Sequence, residues 1–336
     1  MNQKISIFFT VNNFYIKYLS VAIYSIIVNT RRNVHFYLIA NDISEENKCR
    51  LNKLKNIRPF EIEYLMIDKS QFRSLPPSHG KHISAETNYR FVIASLVPNL
   101  DKIIFLDADL CFVGDIGKIW DIDITDHCML ACIDPLCDTY TSILPLAPGF
   151  RYVNTGVFVA NLKRWRAMNI ETKLFETVSK YSHLFRLPDQ DTLNITLAPY
   201  TKYLPAWCNA IPTLPYKDDI VYREAFSAPV VIHWAGSQKP WGNPGVKMGD
   251  LFWRYAVQTP FWADIIYGAM NSIRRSNQIQ NRLITDGLQI LTLKRKYLRY
   301  RILSKITFGK IRKRYKRKKQ EFKTRIKAVK NFIRGK

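Results

Sequence analysis

Residues 102–112 read KIIFLDADLCF: a run of apolar strand-formers drives into two aspartates, Asp107 and Asp109, with Ala108 between them. In extended backbone, residues two apart point to the same side. If that geometry lasts through Asp109, both carboxylates face the crevice at the carboxyl end of a strand, where open α/β sheets bind ligands. Two ionised carboxylates in a partly dry site repel each other unless a cation sits between them. Hard oxygen ligands suit Mg²⁺ or Mn²⁺. Acids are also common at exposed strand ends, so the pattern alone leaves a solvated tip open.

Other residue types converge on the same chemistry. His233 closes the apolar run APVVIH and opens the loop HWAGSQKPW. An imidazole joining two carboxylates favours Mn²⁺ over Mg²⁺. Gly236 lets backbone approach a ligand, and Lys239 is spaced to meet a phosphate as a point charge. A metal beside a lysine is what a departing diphosphate needs, because its negative charge must be balanced as it leaves. Arg90, in TNYRF, is either a surface cation or a buried clamp on a carboxylate or sugar. Asn154, Thr155 and Gly156 interrupt the strand-like run YVNTGVFVANL, and glycine there signals a bulge or a close approach. PDQD places Asp189, Gln190 and Asp191 at a helix start, where at least one of the two acids is expected only to complement the helix dipole.

The elements that must position these residues alternate. ISIFFTV (5–11), VHFYLIA (34–40) and FEIEYLMI (60–67) read as strands. Between them lie YIKYLSVAIYSIIVNT (15–30), apolar at helical spacing, and a polar helix capped by Ser44. Strand, helix, strand, helix, strand predicts a parallel sheet with helices on both faces. Residues 84–97 read as a helix ending before Pro98 and feeding the strand 102–107. CMLACID (128–134), YVNTGVFVANL (152–162) and APVVIHWAG (228–236) read as further strands. One helix is expected from about Lys163 to Ser182, and another opens at Pro188. No glycine-rich phosphate loop of the G-x-G-x-x-G or G-x-x-x-x-G-K-[ST] kind is present.

The chain has 336 residues and a net charge of +24, but residues 271–336 alone hold 23 Lys and Arg against two acids, Asp286 and Glu321. The rest is near neutral, with 28 basic and 25 acidic residues. The basicity therefore belongs to a tail, in which Ile311, Tyr315, Phe322, Ile326, Val329 and Ile333 fall near one helical stripe. A basic amphipathic helix lies readily on an anionic membrane. The rival reading is nucleic-acid binding, with Tyr297, Tyr300 and Tyr315 interleaved among the charges. No recognised motif accompanies it and the body is near neutral, so no nucleic-acid partner is expected. The six cysteines form no C-x-x-C pair and read as reduced, mostly buried thiols of a cytosolic protein. The N-terminal apolar stretch is too short for a signal peptide, and no window reaches the roughly 18 apolar residues of a membrane span.

The order FFTVNNFYIKYL, TNYRF, IIFLDADL, VNTGVFVANLKRW, PDQDTLN and HWAGSQKPW resembles glycosyltransferase family 8, above all its bacterial lipopolysaccharide-core α-glucosyl- and α-galactosyltransferases. The resemblance covers about residues 5–260. It implies an α/β, GT-A-type domain over residues 1–270, with a Rossmann-like, mostly parallel sheet flanked by helices, followed by the basic helical tail 271–336. It implies a UDP-hexose donor, Mn²⁺ with Mg²⁺ as the alternative, and retention at the anomeric carbon. It also implies a lipid-linked core oligosaccharide as acceptor, at the cytoplasmic face of a bacterial inner membrane, with residues 271–336 on the anionic surface. By position, Asp107, Asp109 and His233 match metal ligands. Thr10, Asn12, Asn13 and Tyr15 match the uridine pocket, Tyr15 stacking on the base. Ala108 and Thr155 match donor-binding positions. Gly236, Lys239 and Trp241 match the diphosphate loop. Arg90, Asp134, Asn154, Asp189 and Gln190 match positions around the transferred sugar, with Gln190 on its β-face. Asn12 stands where relatives often have an aspartate, and Phe14 where some have a polar ribose contact. An amide oxygen can still accept the uracil N–H. An amide at 190 is a poor nucleophile, so front-face attack is expected, with Asp189 the covalent alternative to it. A non-catalytic sugar-nucleotide or glycan-binding protein is the other class, and such a protein is expected to lose metal ligands.

Overall fold

The computed structural model describes residues 4–72, 85–306 and 309–333. The chain divides into two compact units, Met1–Ala269 and Met270–Lys336.

The first unit is built on a seven-stranded sheet. Its strands are β1 (Ile5–Thr10), β2 (Val34–Ile39), β3 (Glu61–Leu65), β4 (Lys102–Leu106), β6 (Met129–Ile133), β7 (Val153–Asn161) and β8 (Thr201–Leu204), in the order β3-β2-β1-β4-β7-β6-β8. A separate ribbon pairs β5 (Leu110–Phe112) with β9 (Val231–His233). Strands β1, β2, β3 and β4 run parallel, as do β6 and β8, while β7 is antiparallel to both its neighbours. The expected parallel sheet is thus present in the first half and mixed in the second.

Period-2 alternation distributes the strands between two cores. Ile7, Phe9, Ile104 and Leu106 enter one core with the helix Ile16–Asn29. Phe8, Ile103, Phe105 and Phe158 enter the other with Trp165, Leu174 and Leu193. Because both faces are covered, the central strands carry unbroken apolar runs. Ser44 caps the helix Glu45–Asn52, its hydroxyl accepting from the Asn47 N–H.

Several elements depart from expectation. The helix anticipated over 163–182 is two helices, Leu162–Ala167 and Ile170–Tyr181, broken where Asn169 takes φ 51°, a left-handed conformation that asparagine tolerates better than most residues. The segment anticipated over 84–97 is a 3₁₀ turn, Ala85–Val92, continuing into Ile93–Leu96; residue 84 lies outside the described residues. β7 is continuous, and the irregularity at Asn154–Gly156 lies in its pairing. Ala131 pairs with Phe158 but Cys132 pairs with Asn154, so residues 155–157 have no β6 partner. Extended geometry does not last through Asp109. β4 ends at Leu106, the chain bends through 107–109, and β5 leaves the main sheet to meet β9. All six cysteines are free, and five are buried, Cys49 being exposed.

In the second unit, the long helix Trp262–Ile306, which begins in the first unit, is followed by the helix Gly309–Ile333. The second helix folds back on the first: Phe322 stacks on Tyr300 with ring centroids 5.6 Å apart, and Tyr315 lies 5.8 Å from the same ring. Part of the expected apolar stripe is therefore occupied by helix pairing, with Phe322 buried and Ile326 half-buried. The side chains of Ile311, Val329 and Ile333 lie outside the described residues. Among the described residues, no helix is long and apolar enough to cross a membrane.

Candidate active site

The bend after β4 and the β5–β9 ribbon bring three side chains together. Antiparallel pairing sets Leu110 opposite His233, and the Trp234 N–H donates to the Asp109 carbonyl at 3.1 Å. Asp107 is fixed from the other side, its N–H donating to the Gly156 carbonyl at 2.8 Å. As a result, ligand atoms of Asp107, Asp109 and His233 all lie within 4.8 Å of one another. His233 Nε2 is 3.2 Å from Asp109 Oδ1 and 3.9 Å from Asp107 Oδ2. Among the described residues, neither Asp109 Oδ1 nor His233 Nε2 has a hydrogen-bond partner, although both are buried. Such orphaned polar atoms are costly, and two carboxylates with an imidazole form a donor set that fits a divalent transition ion. Gly156 supplies the room: a Cβ there would sit 2.3 Å from His233 Cε1 and 2.7 Å from Asp107 Oδ2.

Lys239 borders this group. Its ammonium donates to Asp109 Oδ2 and to the Trp234 carbonyl, the latter at 2.6 Å. Burial alone would raise the Asp109 carboxyl, but Lys239 and His233 outweigh it and hold it well below the usual carboxylate range. Asp107 behaves in the opposite way: burial pushes its carboxyl up, Arg90 opposes this, and Asp109 adds to it.

On the far side of Asp107 the polar atoms are cross-linked. Arg90, 3% exposed, donates to Asp107 Oδ1 at 3.0 Å and to the Thr155 carbonyl at 3.1 Å, and lies 3.2 Å from Asp189 Oδ2. Its guanidinium rests over the Phe105 ring at 4.4 Å. This is the buried clamp and not the surface cation. Gln190 Oε1 accepts the Thr155 N–H at 3.0 Å, and Asn154 Nδ2 donates to Asp134 Oδ2 at 3.0 Å. Asp134 also accepts the Leu136 N–H at 2.8 Å, and burial raises its carboxyl against the pull of these bonds. Asp191 accepts from the Tyr152 hydroxyl at 2.5 Å and from the Arg186 and Leu187 N–H groups. It holds the start of the helix Pro188–Leu197, the architectural role expected for one of the two acids.

The matches to known proteins agree with this arrangement. The model of glycosyl transferase family 8 covers residues 6–245. The chain belongs to glycosyl transferase family 8. It is 26% identical to the lipopolysaccharide 1,2-glucosyltransferase of Escherichia coli K12, over 78% of this chain and 80% of that one. It is 26% identical to the lipopolysaccharide 1,3-galactosyltransferase of Salmonella typhimurium, over 71% of this chain and 73% of that one. Among solved structures, the galactosyltransferase LgtC in complex with donor and acceptor sugar analogues superposes with TM-score 0.68 at 27% identity, covering 76% of this chain and 96% of that one. The seven-stranded sheet flanked by helices is that of the GT-A fold.

In this family 8 chain, the residues matched to the nucleotide end gather at the carboxyl end of β1. The Thr10 hydroxyl is buried without a hydrogen-bond partner among the described residues. Asn12 Oδ1 accepts the Tyr15 N–H at 3.0 Å, closing the turn into the first helix. Asn13 Oδ1 accepts from the Ser44 N–H and from Asn47, so this side chain ties two loops together. Tyr15 is half-buried, 6.2 Å edge-on to Trp241. Trp241 is itself stacked on Tyr18 at 3.9 Å, so it lines the wall more than it reaches into the site. Gly236 takes φ +79°, the left-handed turn that its loop requires. Sequence reasoning missed Asn209, which is 2% exposed and contacts His233. Its one signal is a polar amide inside the apolar stretch AWCNAIP.

Proposed function

We propose that this family 8 enzyme is a retaining, Mn²⁺-dependent hexosyltransferase that moves glucose or galactose from a UDP-sugar to a lipopolysaccharide or lipooligosaccharide core glycan. The observation that carries the reading is the Asp107–Asp109–His233 group, with orphaned atoms toward one another and Lys239 at its border. The family 8 relatives named for lipopolysaccharide glucosyl and galactosyl transfer supply the substrate class. A complete ligand set also argues against a binding protein that has lost catalysis.

Asp107, Asp109 and His233 would hold the ion, which when bound supplies the positive charge that a departing diphosphate needs. Lys239 adds a second cation there once it exchanges Asp109 for a phosphate oxygen. Arg90 keeps Asp107 and Asp189 in place. Gln190 is held by the Thr155 N–H, its oxygen already accepting; an amide so engaged is no nucleophile. The acceptor hydroxyl then attacks from the face the diphosphate leaves, passing its proton to a departing phosphate oxygen. Asp189 is ion-paired with Arg90, which lowers its nucleophilicity. A glycosyl adduct trapped on Asp189 would overturn the front-face route.

The test is hydrolysis without acceptor: the purified full chain with Mn²⁺ and a panel of UDP-sugars. UDP-glucose or UDP-galactose should turn over, and turnover should fall about 10³-fold in Asp109→Asn. No turnover of any UDP-hexose would sink the reading. Residues 1–270 form the transferase domain in this proposal, and the basic segment 271–336 docks on an anionic cytoplasmic membrane face. Each Lys or Arg near such a surface contributes roughly 1 kcal/mol. Deleting residues 304–336 should stop sedimentation with anionic vesicles and spare donor hydrolysis; continued sedimentation would refute the docking.

A further inference from the structure

The amide of Asn209 sits between the two ends of the site. Its Oδ1 lies 3.0 Å from His233 Nδ1, and its Nδ2 donates to Asn154 Oδ1 at 2.9 Å. Asn154 Oδ1 also accepts the Gly156 N–H at 3.1 Å, and Asn154 Nδ2 donates to Asp134 Oδ2 at 3.0 Å. This chain of contacts has one orientation. A backbone N–H can only donate, so the Gly156 N–H fixes which Asn154 atom is oxygen. The Asn209 atom facing that oxygen must then be its NH₂, and the atom facing His233 must be its carbonyl oxygen. A carbonyl oxygen only accepts, so His233 carries a proton on Nδ1, which leaves Nε2 as the ring atom that can ligate an ion. Nε2 lies 3.2 Å from Asp109 Oδ1 and has no hydrogen-bond partner among the described residues.

The backbone makes the placement rigid. The Ala210 N–H donates to the Val231 carbonyl at 3.1 Å, and the His233 N–H donates to the Ala210 carbonyl at 2.9 Å. Asn209 is 2% exposed, so water cannot take over its bonds without rearrangement. A buried side chain that orients a ligating histidine typically accounts for 10–100-fold in metal affinity.

We infer that Asn209 is a positioning residue with two duties: it holds the His233 ring in the tautomer and orientation that a divalent cation requires, and it couples that ring through Asn154 to the carboxylate of Asp134 on the sugar side. The inference rests on the metal reading of Asp107, Asp109 and His233. Substitution separates the duties. Asn209→Leu removes both the acceptor and the donor. Asn209→Asp keeps an acceptor for His233 Nδ1–H but removes the donor to Asn154.

The experiment is Mn²⁺ titration of the full chain by electron paramagnetic resonance, with no nucleotide sugar present, alongside donor-hydrolysis kinetics. The wild type should bind Mn²⁺ and Asp109→Asn should not. Asn209→Leu should bind 10–100-fold more weakly. Asn209→Asp should keep an affinity near that of the wild type yet show a lowered kcat. Long-range ¹H–¹⁵N correlation on the metal-free wild type should report the Nδ1–H tautomer at His233, a readout that does not depend on any variant folding. An Nε2–H tautomer, or wild-type Mn²⁺ affinity in Asn209→Leu, overturns the inference while leaving the metal reading intact. A wild type that binds no Mn²⁺ overturns both.

Discussion

On one side of the site, the sugar side of the proposal, Asp134, Asp189 and Asp191 each meet a donor or a cation: Asn154 and a backbone N–H, Arg90, and the Tyr152 hydroxyl with two backbone N–H groups. On the other side, the metal side of the proposal, Asp109 Oδ1 and His233 Nε2 lie 3.2 Å apart and neither has a hydrogen-bond partner among the described residues. The carboxyls do not follow the same division, since burial lifts Asp107 as well. Burial lifts Asp134 and Asp191, whereas Lys239 and His233 overcome burial and depress Asp109. A satisfied polar network holds its shape by itself. An unsatisfied one is built to be completed by something that arrives. The network around Asp134, Asp189 and Asp191 is thus part of the architecture, and the Asp107–Asp109–His233 group carries the cost of two orphaned atoms.

The sharpest way to break this contrast is to change one residue on each side and compare stability with activity. Asp109→Asn should lower Mn²⁺-dependent donor hydrolysis about 10³-fold, the order expected when charge stabilisation of a leaving group is lost. Its unfolding free energy should fall by less than that of the next variant, because the lost Lys239–Asp109 pair still leaves the ammonium on the Trp234 carbonyl. Arg90→Met should instead cost about 3 kcal/mol in urea unfolding, since it strands the carboxylates of Asp107 and Asp189 beside each other. If the two variants lose equal stability, the two sides are not different in kind.

Much of this division was legible in the sequence and part was not. The apolar runs of β1, β2 and β4 announced a doubly covered sheet, and their carboxyl ends announced the crevice. D-x-D and HWAGSQKPW announced the Asp107–Asp109–His233 group and the lysine beside it. The β5–β9 ribbon was not legible, because three-residue strands that pair across more than a hundred residues leave no periodicity. That ribbon, and not an extended strand through Asp109, is what brings His233 to the aspartates. Gly156 was read as a bulge or a close approach. The bulge is real, but the sharper reason for glycine is the imidazole pressed against it. Asn209 was missed because a single amide in an apolar stretch carries no pattern. The tail's stripe was visible as a helical face, but its partner, Tyr300 on the preceding helix, was not.

Gly156→Ala probes the border between the sides. A methyl 2.3 Å from His233 Cε1 must displace the ring or the strand. Overpacking of this kind costs about 1–3 kcal/mol. Because the ring is the metal-side atom set that moves, Mn²⁺ affinity by titration should fall about tenfold, while the Arg90–Asp189 pair remains. Affinity unchanged from the wild type would mean that the strand yields and not the ring.

The smallest effect is a pH dependence assigned to Asp134. Burial raises its folded-state pKa above the ordinary carboxylate value. Between the unfolded value, about 4, and the raised folded one, the native chain keeps a proton that the unfolded chain has released. The unfolded state then binds fewer protons, so stability falls as pH rises through that window and levels off above it. One proton limits the slope to about 1.4 kcal/mol per pH unit. Other buried carboxyls contribute with the same sign, so the measurable quantity is a difference: urea unfolding of the wild type minus that of Asp134→Asn, taken from pH 4 upward without metal. That difference should decline with pH and then become flat. A difference that rises with pH would mean that the bonds from Asn154, the Leu136 N–H and Gln190 outweigh burial, making Asp134 a stabilised anion like Asp109.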